Sequence, residues 1–290
     1  MEFLTTIING LSLGGIYAMI ALGYTMVYGI AKMLNFAHGD IIMVGGYTIL
    51  VFMNLSGMPV VAVAAAVICC TILGVVVEKV AYKPLRGASP LAVLITAIGV
   101  SYLLQSIFQI IFGSAPKMVY IADLGSVTIG SLKIQVHTLF TLAATVVVMI
   151  LLTVFVKYTK LGKAMIAVSE DKGAAQLMGI NVNKIISVTF AIGSALAALA
   201  GLFFLLKAPN ITNTFGSMPG IKAFTAAVIG GIGSIPGAML GGVLLGMVES
   251  IVSKIEILAP YTDAIEFSIL IIILLVRPTG FLGKKRREKV

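Results

Sequence analysis

The sequence has 290 residues, of which 59% are hydrophobic and only 11% charged, and its mean hydropathy is +1.11. Soluble domains carry about 25% charged residues, and a soluble core of this length could not hide so much apolar surface. The composition therefore excludes an ordinary soluble enzyme and indicates a membrane protein that crosses the bilayer several times. The net charge of +9 is compatible with a nucleic-acid partner, but in a membrane chain it more often reports topology.

Apolar runs follow one another along the chain with few breaks between them. Each run is predicted to be helical, because lipid offers no hydrogen-bond partner to an open backbone. The chain starts with an acid and no base, unlike a signal peptide, so we expect the first run to stay in the mature protein. The predicted spans are 5–31, 41–54, 59–77, 90–112, 138–156, 185–206, 221–232, 237–255 and 264–276.

Two of these runs, 41–54 and 221–232, are too short to cross a bilayer. Such a run rises only about 20 Å, whereas the hydrocarbon core is about 30 Å thick. Both lie beside glycine clusters, which is typical of broken helices that line a transport path, although tilted ordinary spans would give the same pattern. We therefore expect an all-α polytopic bundle, one domain over 1–290, with about eight or nine transmembrane helices. Its broken or short helices are expected near 32–45 and 221–237.

The first short run follows a polar stretch, KMLNFAHGDIIMVGGY at 32–47, in a chain that is otherwise strongly apolar. The break is predicted to lie within the depth of the membrane or at its inner edge. Asp40 is predicted to cap the half-helix that starts at Ile41 rather than to bind a transported molecule. Asn35 and His38 either contact that molecule or only hold the break by hydrogen bonds, and the sequence leaves both interpretations open.

The basic residues predict which connections face the cytoplasm, because such loops carry an excess of lysine and arginine. Most of these residues fall in three segments, and the spans between the segments alternate consistently. The basic tail 277–290 is therefore predicted to be cytoplasmic and the N-terminus to lie outside. The three groups are Lys79, Lys83 and Arg86; Lys157, Lys160, Lys163, Lys172 and Lys184; and Arg277, Lys284, Lys285, Arg286, Arg287 and Lys289.

The connection 157–184 is too long for a simple turn. We predict within it a short amphipathic helix that is capped by Ser169, carries two acids in its first turn, and ends at Gly179 in the left-handed conformation. This helix either packs only on its own subunit or docks onto a cytoplasmic motor. The residues expected to form the docking element are Ser169, Glu170, Asp171, Ala174, Ala175, Met178, Gly179 and Asn181.

No catalytic motif is found in the sequence. A P-loop needs G-x-x-x-x-G-K-[ST] to cradle phosphates, and neither it nor G-x-S-x-G nor H-E-x-x-H occurs. With only two histidines, we expect no metal site. Glu249 is the only acid predicted well inside a span, where it is either a functional group or a partner of a neighbouring helix. Glu256, Asp263 and Glu266 are predicted to be interfacial.

Three segments resemble the permease subunits of branched-chain amino-acid ABC importers. They are NGLSLGGIYAMIALGYTMVYGIAKMLNFAHGD at 9–40, FTAAVIGGIGSIPGAMLGGVLLGMVES at 224–250 and RPTGFLG at 277–283. The segment SEDKGAAQLMGINVNK at 169–184 resembles the coupling loop of that family. Ribose-type sugar permeases are similar, but their break is acidic and carries serine where this chain has Asn35 to Gly39. Urea and short-chain amide permeases share the amino-acid branch, so the resemblance leaves them open as alternatives.

The resemblance implies a bacterial inner-membrane assembly with several partners. Two homologous permease chains would form the pathway, two cytoplasmic ATPase subunits would bind below, and a periplasmic binding protein would deliver Leu, Ile or Val. On this view the chain itself is not an enzyme and binds no cofactor, while ATP and Mg²⁺ bind to the ATPase subunits. Movement of the coupling helix on ATP binding would then rock the spans.

A branched aliphatic cargo needs an apolar passage, and its zwitterionic head needs a few dipoles. Fixed charges are expected to hold the head too tightly, so a chain with almost no charge inside the membrane suits this task. Gly230, Gly231, Gly233 and Gly237 are expected to allow a hinge or close packing near the gate. The candidate pathway residues are Asn35, Phe36, His38, Gly39, Gly230, Gly231, Gly233 and Glu249.

Two other classes of protein are alternatives to the importer. A secondary transporter or channel that works alone would usually need an ion site, and the scarcity of acid pairs inside the spans argues against it. A membrane-embedded enzyme would need a nucleophile with its base or a metal constellation, and the sequence offers neither.

Overall fold

In the computed structural model, described for residues 2–121, 125–129 and 132–283, the chain is 78% helical. Among these residues, eight helices are long and apolar enough to cross a membrane. The predicted all-α polytopic bundle is therefore confirmed. The basic residues predicted for the end of the tail, which are Lys284, Lys285, Arg286, Arg287 and Lys289, lie outside the described part of the chain.

The helices follow the apolar runs closely. They are α1 (Glu2–Ala31), α2 (His38–Ser56), α3 (Pro59–Val77), α4 (Pro90–Phe112), α5 (Val136–Tyr158), α6 (Lys160–Glu170), α7 (Lys172–Leu177), α8 (Val182–Lys207), α9 (Ser217–Gly230), α10 (Ile235–Val252) and α11 (Thr262–Val276). Helix α3 continues through a π-helical turn (Glu78–Tyr82) and a 3-10 turn (Lys83–Leu85), and a second 3-10 turn (Ala259–Tyr261) precedes α11.

Four short strands lie at one end of the bundle. Strand β1 (Lys117–Met118) pairs antiparallel with β4 (Asn210–Ile211), so that Lys117 lies opposite Ile211. Strands β2 (Ser126–Ile129) and β3 (Leu132–Gln135) form an antiparallel hairpin before α5. This strand end lies opposite the end where α5 leads into α6 and α7, which we call the α6–α7 end.

The centre of the bundle is built from α1, which packs on α10, α8, α5 and α9. Small residues allow the closest of these contacts: a Cβ on Gly14 would lie 2.7 Å from the Cα of Val243 in α10. Since lipid provides no hydrophobic driving force between helices, such close backbone approach is how membrane helices gain packing energy. Helices α4 and α11, by contrast, are mostly exposed, and therefore remain available to lipid or to another chain.

Two breaks interrupt the described helices, near the predicted positions. The first, 32–37, separates α1 from α2, and Lys32 reverses the chain with a positive φ of 61°. Helix α2 then starts at His38, whose ring lies against Gly23 of α1 and Gly193 of α8. Because Gly193 lies near the middle of α8, the break lies well within the bundle, where protein surrounds its irregular backbone.

The second break, 231–234, separates α9 from α10. Helix α9 has 14 residues, a rise of about 21 Å, and is not among the eight helices that could span a membrane within the described ranges. The predicted broken helices near 32–45 and 221–237 are thus confirmed. The run 41–54, however, is part of a 19-residue helix that is long enough to cross.

Candidate functional site

The first break is held by buried polar side chains. The Tyr82 hydroxyl donates a hydrogen bond of 2.8 Å to Oδ1 of Asn35, and both side chains are buried. The His38 ring lies edge-on to Tyr24, with 4.8 Å between ring centroids, and it also hydrogen-bonds the backbone of Ile20. Asn35 and His38 therefore anchor the break to α1 and to the π-helical turn after α3, and contact with a transported molecule stays a prediction.

Next to the break, a cavity of about 340 Å³ opens between α1, α2, α4 and α9. Two of the predicted pathway residues, Phe36 and Gly39, line this cavity, whereas Asn35 and His38 are not among its lining residues. Its polar wall includes Asp40, which was predicted as a helix cap, and four side chains that the sequence did not single out. These four are Tyr24, Ser101, Gln105 and Ser217.

Asp40 does not cap α2, so that prediction is wrong. The helix begins at His38, its N-cap is Ala37, and no side chain caps it. Asp40 instead lies in the first turn with its side chain in the cavity, where its Oδ1 accepts a 2.8 Å hydrogen bond from Nε2 of Gln105. The early start of the helix frees this carboxylate for contacts with α4.

The second break joins two segments that are far apart in sequence. Gly231 has φ of 105°, which a residue with a side chain rarely adopts. The last carbonyls of α9 would lack partners, but Phe281 N–H donates to Ile229 at 2.9 Å and Leu282 N–H donates to Gly230 at 2.9 Å. The segment RPTGFLG thus closes the C-terminal end of α9, a role that its spacing did not reveal.

Close packing accounts for Gly230 and Gly237, whereas Gly233 adopts a positive φ of 95°. A Cβ on Gly230 would collide with the carbonyl of Gly237, and a Cβ on Gly237 would collide with that of Gly230. These glycines therefore bring α9 and α10 into backbone contact. They lie away from the Phe36–Gly39 cavity, because none of the four glycines predicted here is among its lining residues.

Glu249 belongs to a group of charged side chains toward the strand end. It accepts a 2.6 Å hydrogen bond from the Tyr17 hydroxyl and lies 3.1 Å from Nζ of Lys222 in α9. Lys222 also pairs with Asp263 at 2.8 Å and with Glu266 at 3.2 Å. Glu249 therefore joins α10 to α1, α9 and, through Lys222, α11. It also lines a second cavity of about 440 Å³.

Three sequence predictions about acids are corrected by these contacts. Glu266 is fully buried rather than interfacial. Glu249 is not the only acid within the bundle, because Asp40 and Glu78 are also buried. Glu78 pairs with Arg86 and accepts a 2.6 Å hydrogen bond from Ser187. The expectation of a chain with almost no charge inside the membrane is therefore wrong, since local hydrogen bonds and ion pairs make burial of these groups tolerable.

The connection 157–184 contains two helices, α6 and α7, rather than one. The predicted cap is wrong: Ser169 lies inside α6 and donates to the carbonyl of Ile166. Asp171 is the cap of α7, because its Oδ1 accepts from the backbone N–H groups of Gly173 and Ala174 at 2.8 and 3.0 Å. The polar run SED offers three candidate caps. Because the first two of these residues belong to α6, the third is left as the cap of α7.

The end of this connection follows the sequence prediction. Gly179 adopts φ of 82°, and Asn181 caps α8 by accepting from the N–H of Lys184 at 3.0 Å. Ala175 is buried, whereas Met178 is 82% exposed and Leu177 90% exposed. Helix α7 therefore anchors itself to the bundle on one side and presents two large apolar side chains on the other.

The α6–α7 segment is linked to the first break. Nζ of Lys172 donates a 2.8 Å hydrogen bond to the carbonyl of Ala31, the last residue of α1. Helix α6 also reaches the second break, since Met165, Ile166 and Gly233 line one small cavity. A displacement of this segment would therefore act on both breaks. The lysine contact was not predicted, because a solvated lysine in a loop is the ordinary expectation.

A bundle with two broken helices, a polar cavity beside one break and an anchored helical segment at one end has the architecture of a membrane transport protein. The family of branched-chain amino acid transport system permease components matches residues 6–274. The chain belongs to this family.

Permease proteins named for branched-chain amino acid transport match along the whole chain. The high-affinity branched-chain amino acid transport system permease protein BraD of Pseudomonas aeruginosa is 43% identical, over 100% of this chain and 98% of its own length. The permease protein LivH of Escherichia coli is 41% identical over the same shares. The ribose import permease protein RbsC of Haemophilus influenzae is 30% identical over 45% of this chain. Similarity to the sugar permeases is thus partial, as the sequence indicated.

One solved structure is similar in fold. It is PsaBC from Streptococcus pneumoniae in complex with Fab, which superimposes with a TM-score of 0.50 over 93% of this chain and 91% of that chain. Only 13% of the residues are identical, so this likeness concerns the fold alone.

Proposed function

We propose that this chain is a transmembrane subunit of an ATP-driven importer that carries branched-chain amino acids across the bacterial inner membrane. The observation that carries the proposal is its full-length similarity to permease proteins named for branched-chain amino acid transport. The subunit itself is not catalytic. ATP and Mg²⁺ bind to two separate ATPase subunits, and a second, homologous permease chain completes the pathway.

The α6–α7 segment is the docking element for the ATPase subunits. Its exposed Leu177 and Met178 form an apolar patch at the tip of an otherwise polar connection, and such patches mark protein contacts. The caps Asp171 and Asn181 hold the helix ends. Lys172 then transmits the displacement of this segment to the end of α1.

The α6–α7 end faces the cytoplasm in this proposal. The α3–α4 connection and the connection 157–184, which are rich in lysine and arginine, lie at this end, and so does Arg277 at the C-terminal end of α11. A periplasmic binding protein then delivers its amino acid at the strand end, where the strand pair β1–β4 and the hairpin β2–β3 form the surface. The chain starts outside and ends in the cytoplasm.

Reconstitution tests the proposed function. We expect leucine uptake into proteoliposomes only when both permeases, the ATPase pair, ATP and the binding protein are present. Passage of leucine down its gradient through this chain alone would overturn the importer. Uptake of urea or acetamide in place of leucine, with competition by those compounds for the binding protein, would replace the substrate but keep the architecture.

A further inference from the structure

The cavity beside the first break lies where the middle of α4 meets the first turns of two other helices. Ser101 lies at the midpoint of α4, and it lines the cavity together with the first turns of α2 and α9. The two helix starts touch, because a Cβ on Gly39 would lie only 2.6 Å from the carbonyl oxygen of Gly216. The cavity therefore lies level with the middle of α4, where two helices begin, and the exposed side chains of Ile98, Tyr102 and Ile221 form its outer wall.

Asp40 brings a carboxylate to this cavity without a cation of its own. The residue is only 2% exposed. Its hydrogen-bond partners are neutral: Gln105 donates at 2.8 Å, and Ser101 is a further partner. Within the described ranges, Asp40 forms no ion pair with a lysine, arginine or histidine. A buried carboxylate is costly unless a positive charge compensates it.

The other buried acids show how this protein compensates such groups. Glu78 pairs with Arg86, and Glu266 lies 3.2 Å from Lys222, which it shares with the partly buried Glu249 and with Asp263. In the same bundle, Asp40 lies against a cavity of about 340 Å³ instead of against a cation. That volume lies within the range of small-molecule sites. The arrangement suits a ligand that brings its own positive charge.

The remaining walls suit the rest of an amino acid. Helix starts carry partial positive charge and favour anionic groups. Asp40 already occupies the first turn of α2, and the start of α9 lies beside it with Ser217 at the cavity wall. Phe36, Ile98 and Ile221 supply apolar surface on the same cavity. One wall therefore attracts an ammonium, another a carboxylate, and a third an aliphatic side chain.

We propose that this cavity is a transient binding site for the amino acid inside the membrane, with Asp40 as the group that binds the substrate's α-ammonium. The start of α9 faces the α-carboxylate. The proposal rests on the proposed function and adds to it a substrate-binding residue. When no substrate is present, Gln105 donates its hydrogen bond to the carboxylate of Asp40, and the substrate's ammonium displaces Gln105 on binding. This exchange keeps the site weak enough to release its ligand.

The alternative role for Asp40 is structural, as the anchor that holds α4 through Gln105. Two variants separate the roles in the complete transporter. Asp40→Asn removes the charge but keeps the size and an acceptor for Gln105, whereas Gln105→Leu removes the hydrogen bond but keeps the charge. Glu256→Gln, at an exposed position, is the control for loss of a carboxylate.

In proteoliposomes with the partner permease, the ATPase pair and the binding protein, we expect Asp40→Asn to lower leucine uptake about tenfold or more. Gln105→Leu should lower it less, and Glu256→Gln should leave it unchanged. ATP hydrolysis stimulated by the binding protein should persist in Asp40→Asn, which shows that the complex has assembled. Equal losses in Asp40→Asn and Gln105→Leu would make Asp40 an anchor and overturn the proposal.

A binding measurement on the wild-type transporter needs no variant. Saturation-transfer NMR of the assembled transporter, without binding protein, should detect L-leucine, and 2-hydroxy-4-methylpentanoate, which lacks the ammonium, should not displace it. Equal competition by this hydroxy acid would overturn ammonium recognition even if Asp40→Asn failed to fold. If the wild-type transporter took up no leucine at all, the proposed function itself would fail, and that outcome is distinct from the others.

Discussion

The two helix breaks of this bundle are held by different kinds of interaction. The break 32–37 itself is held by buried side chains, chiefly the hydrogen bond between Tyr82 and Asn35, although the helix start that follows it contacts the backbone of Gly216 through Gly39. The break 231–234 depends on the backbone, through the contact of Gly230 with Gly237 and the N–H groups of Phe281 and Leu282. Side-chain hydrogen bonds can exchange partners while the helices stay packed. Two helices in direct backbone contact, such as α9 and α10, can change their relative position only if they move apart. We therefore expect the first break to change shape during transport and the second to move as a rigid unit.

The largest effect is expected at the rigid break. Gly230→Ala places a Cβ against the carbonyl of Gly237, and because backbone cannot yield as a side chain can, we expect a loss of about 3 kcal/mol of folding stability, at the upper end for overpacking. Thermal unfolding of the purified chain in detergent measures it. Gly99→Ala is the matched control, since nothing lies within 4 Å of a Cβ there. Equal melting temperatures would show that α9 and α10 can separate freely.

A smaller effect is expected at the side-chain-held break. Tyr82→Phe leaves the buried Oδ1 of Asn35 without its 2.8 Å donor, which should cost about 1–3 kcal/mol. The same unfolding measurement applies, with Tyr120→Phe as control because Tyr120 is exposed. If Tyr82→Phe melted like the wild type, the hydrogen bond would not hold this break.

The docking segment next to the breaks gives a functional test. Gly179→Pro cannot keep φ of 82°, because proline is locked near −65°, and Glu170→Lys reverses a charge where α6 ends. We expect both variants to uncouple ATP hydrolysis from uptake, with leucine transported per ATP falling about tenfold. Unchanged leucine uptake in both variants would refute the docking role.

The smallest effect is expected at the contact between this segment and the first break. Lys172→Met removes the donor to the Ala31 carbonyl but keeps the length of the side chain. We expect uptake per ATP to fall only about twofold to fivefold, since one hydrogen bond typically contributes about 1 kcal/mol. Lys163→Met, which changes a lysine of the neighbouring helix α6, serves as the comparison in the same uptake assay. If Lys172→Met lowered uptake per ATP as much as Gly179→Pro does, Lys172 would be the main link between the docking segment and α1.

Much of the fold followed from local pattern. The apolar runs predicted the spans because helices are the way for a single chain segment to satisfy its backbone in lipid. The short, glycine-flanked runs predicted the broken helices. Gly179 was assigned correctly because a left-handed residue at the end of a helix depends on neighbours only a few residues away.

The errors share a physical cause. Ser169 and Asp40 were both predicted as caps, but a cap depends on where a helix begins, and the start shifted by a few residues in each case. Glu266 was placed at the interface, although its partner Lys222 lies on another helix. The cavity beside Asp40 was not predicted, because its other polar walls, Ser101 and Gln105, come from a span more than sixty residues away.

The sequence by itself determined that this is a helical membrane protein, where its helices break and to which family its motifs are similar. These properties depend on composition, periodicity and short motifs. Only the tertiary structure decided that RPTGFLG closes the end of α9, that Lys222 collects three carboxylates, and that Asp40 lies at a cavity without a cation. Contacts between distant segments set the environment of a buried polar group, and that environment decides whether the group supports the fold or binds a ligand.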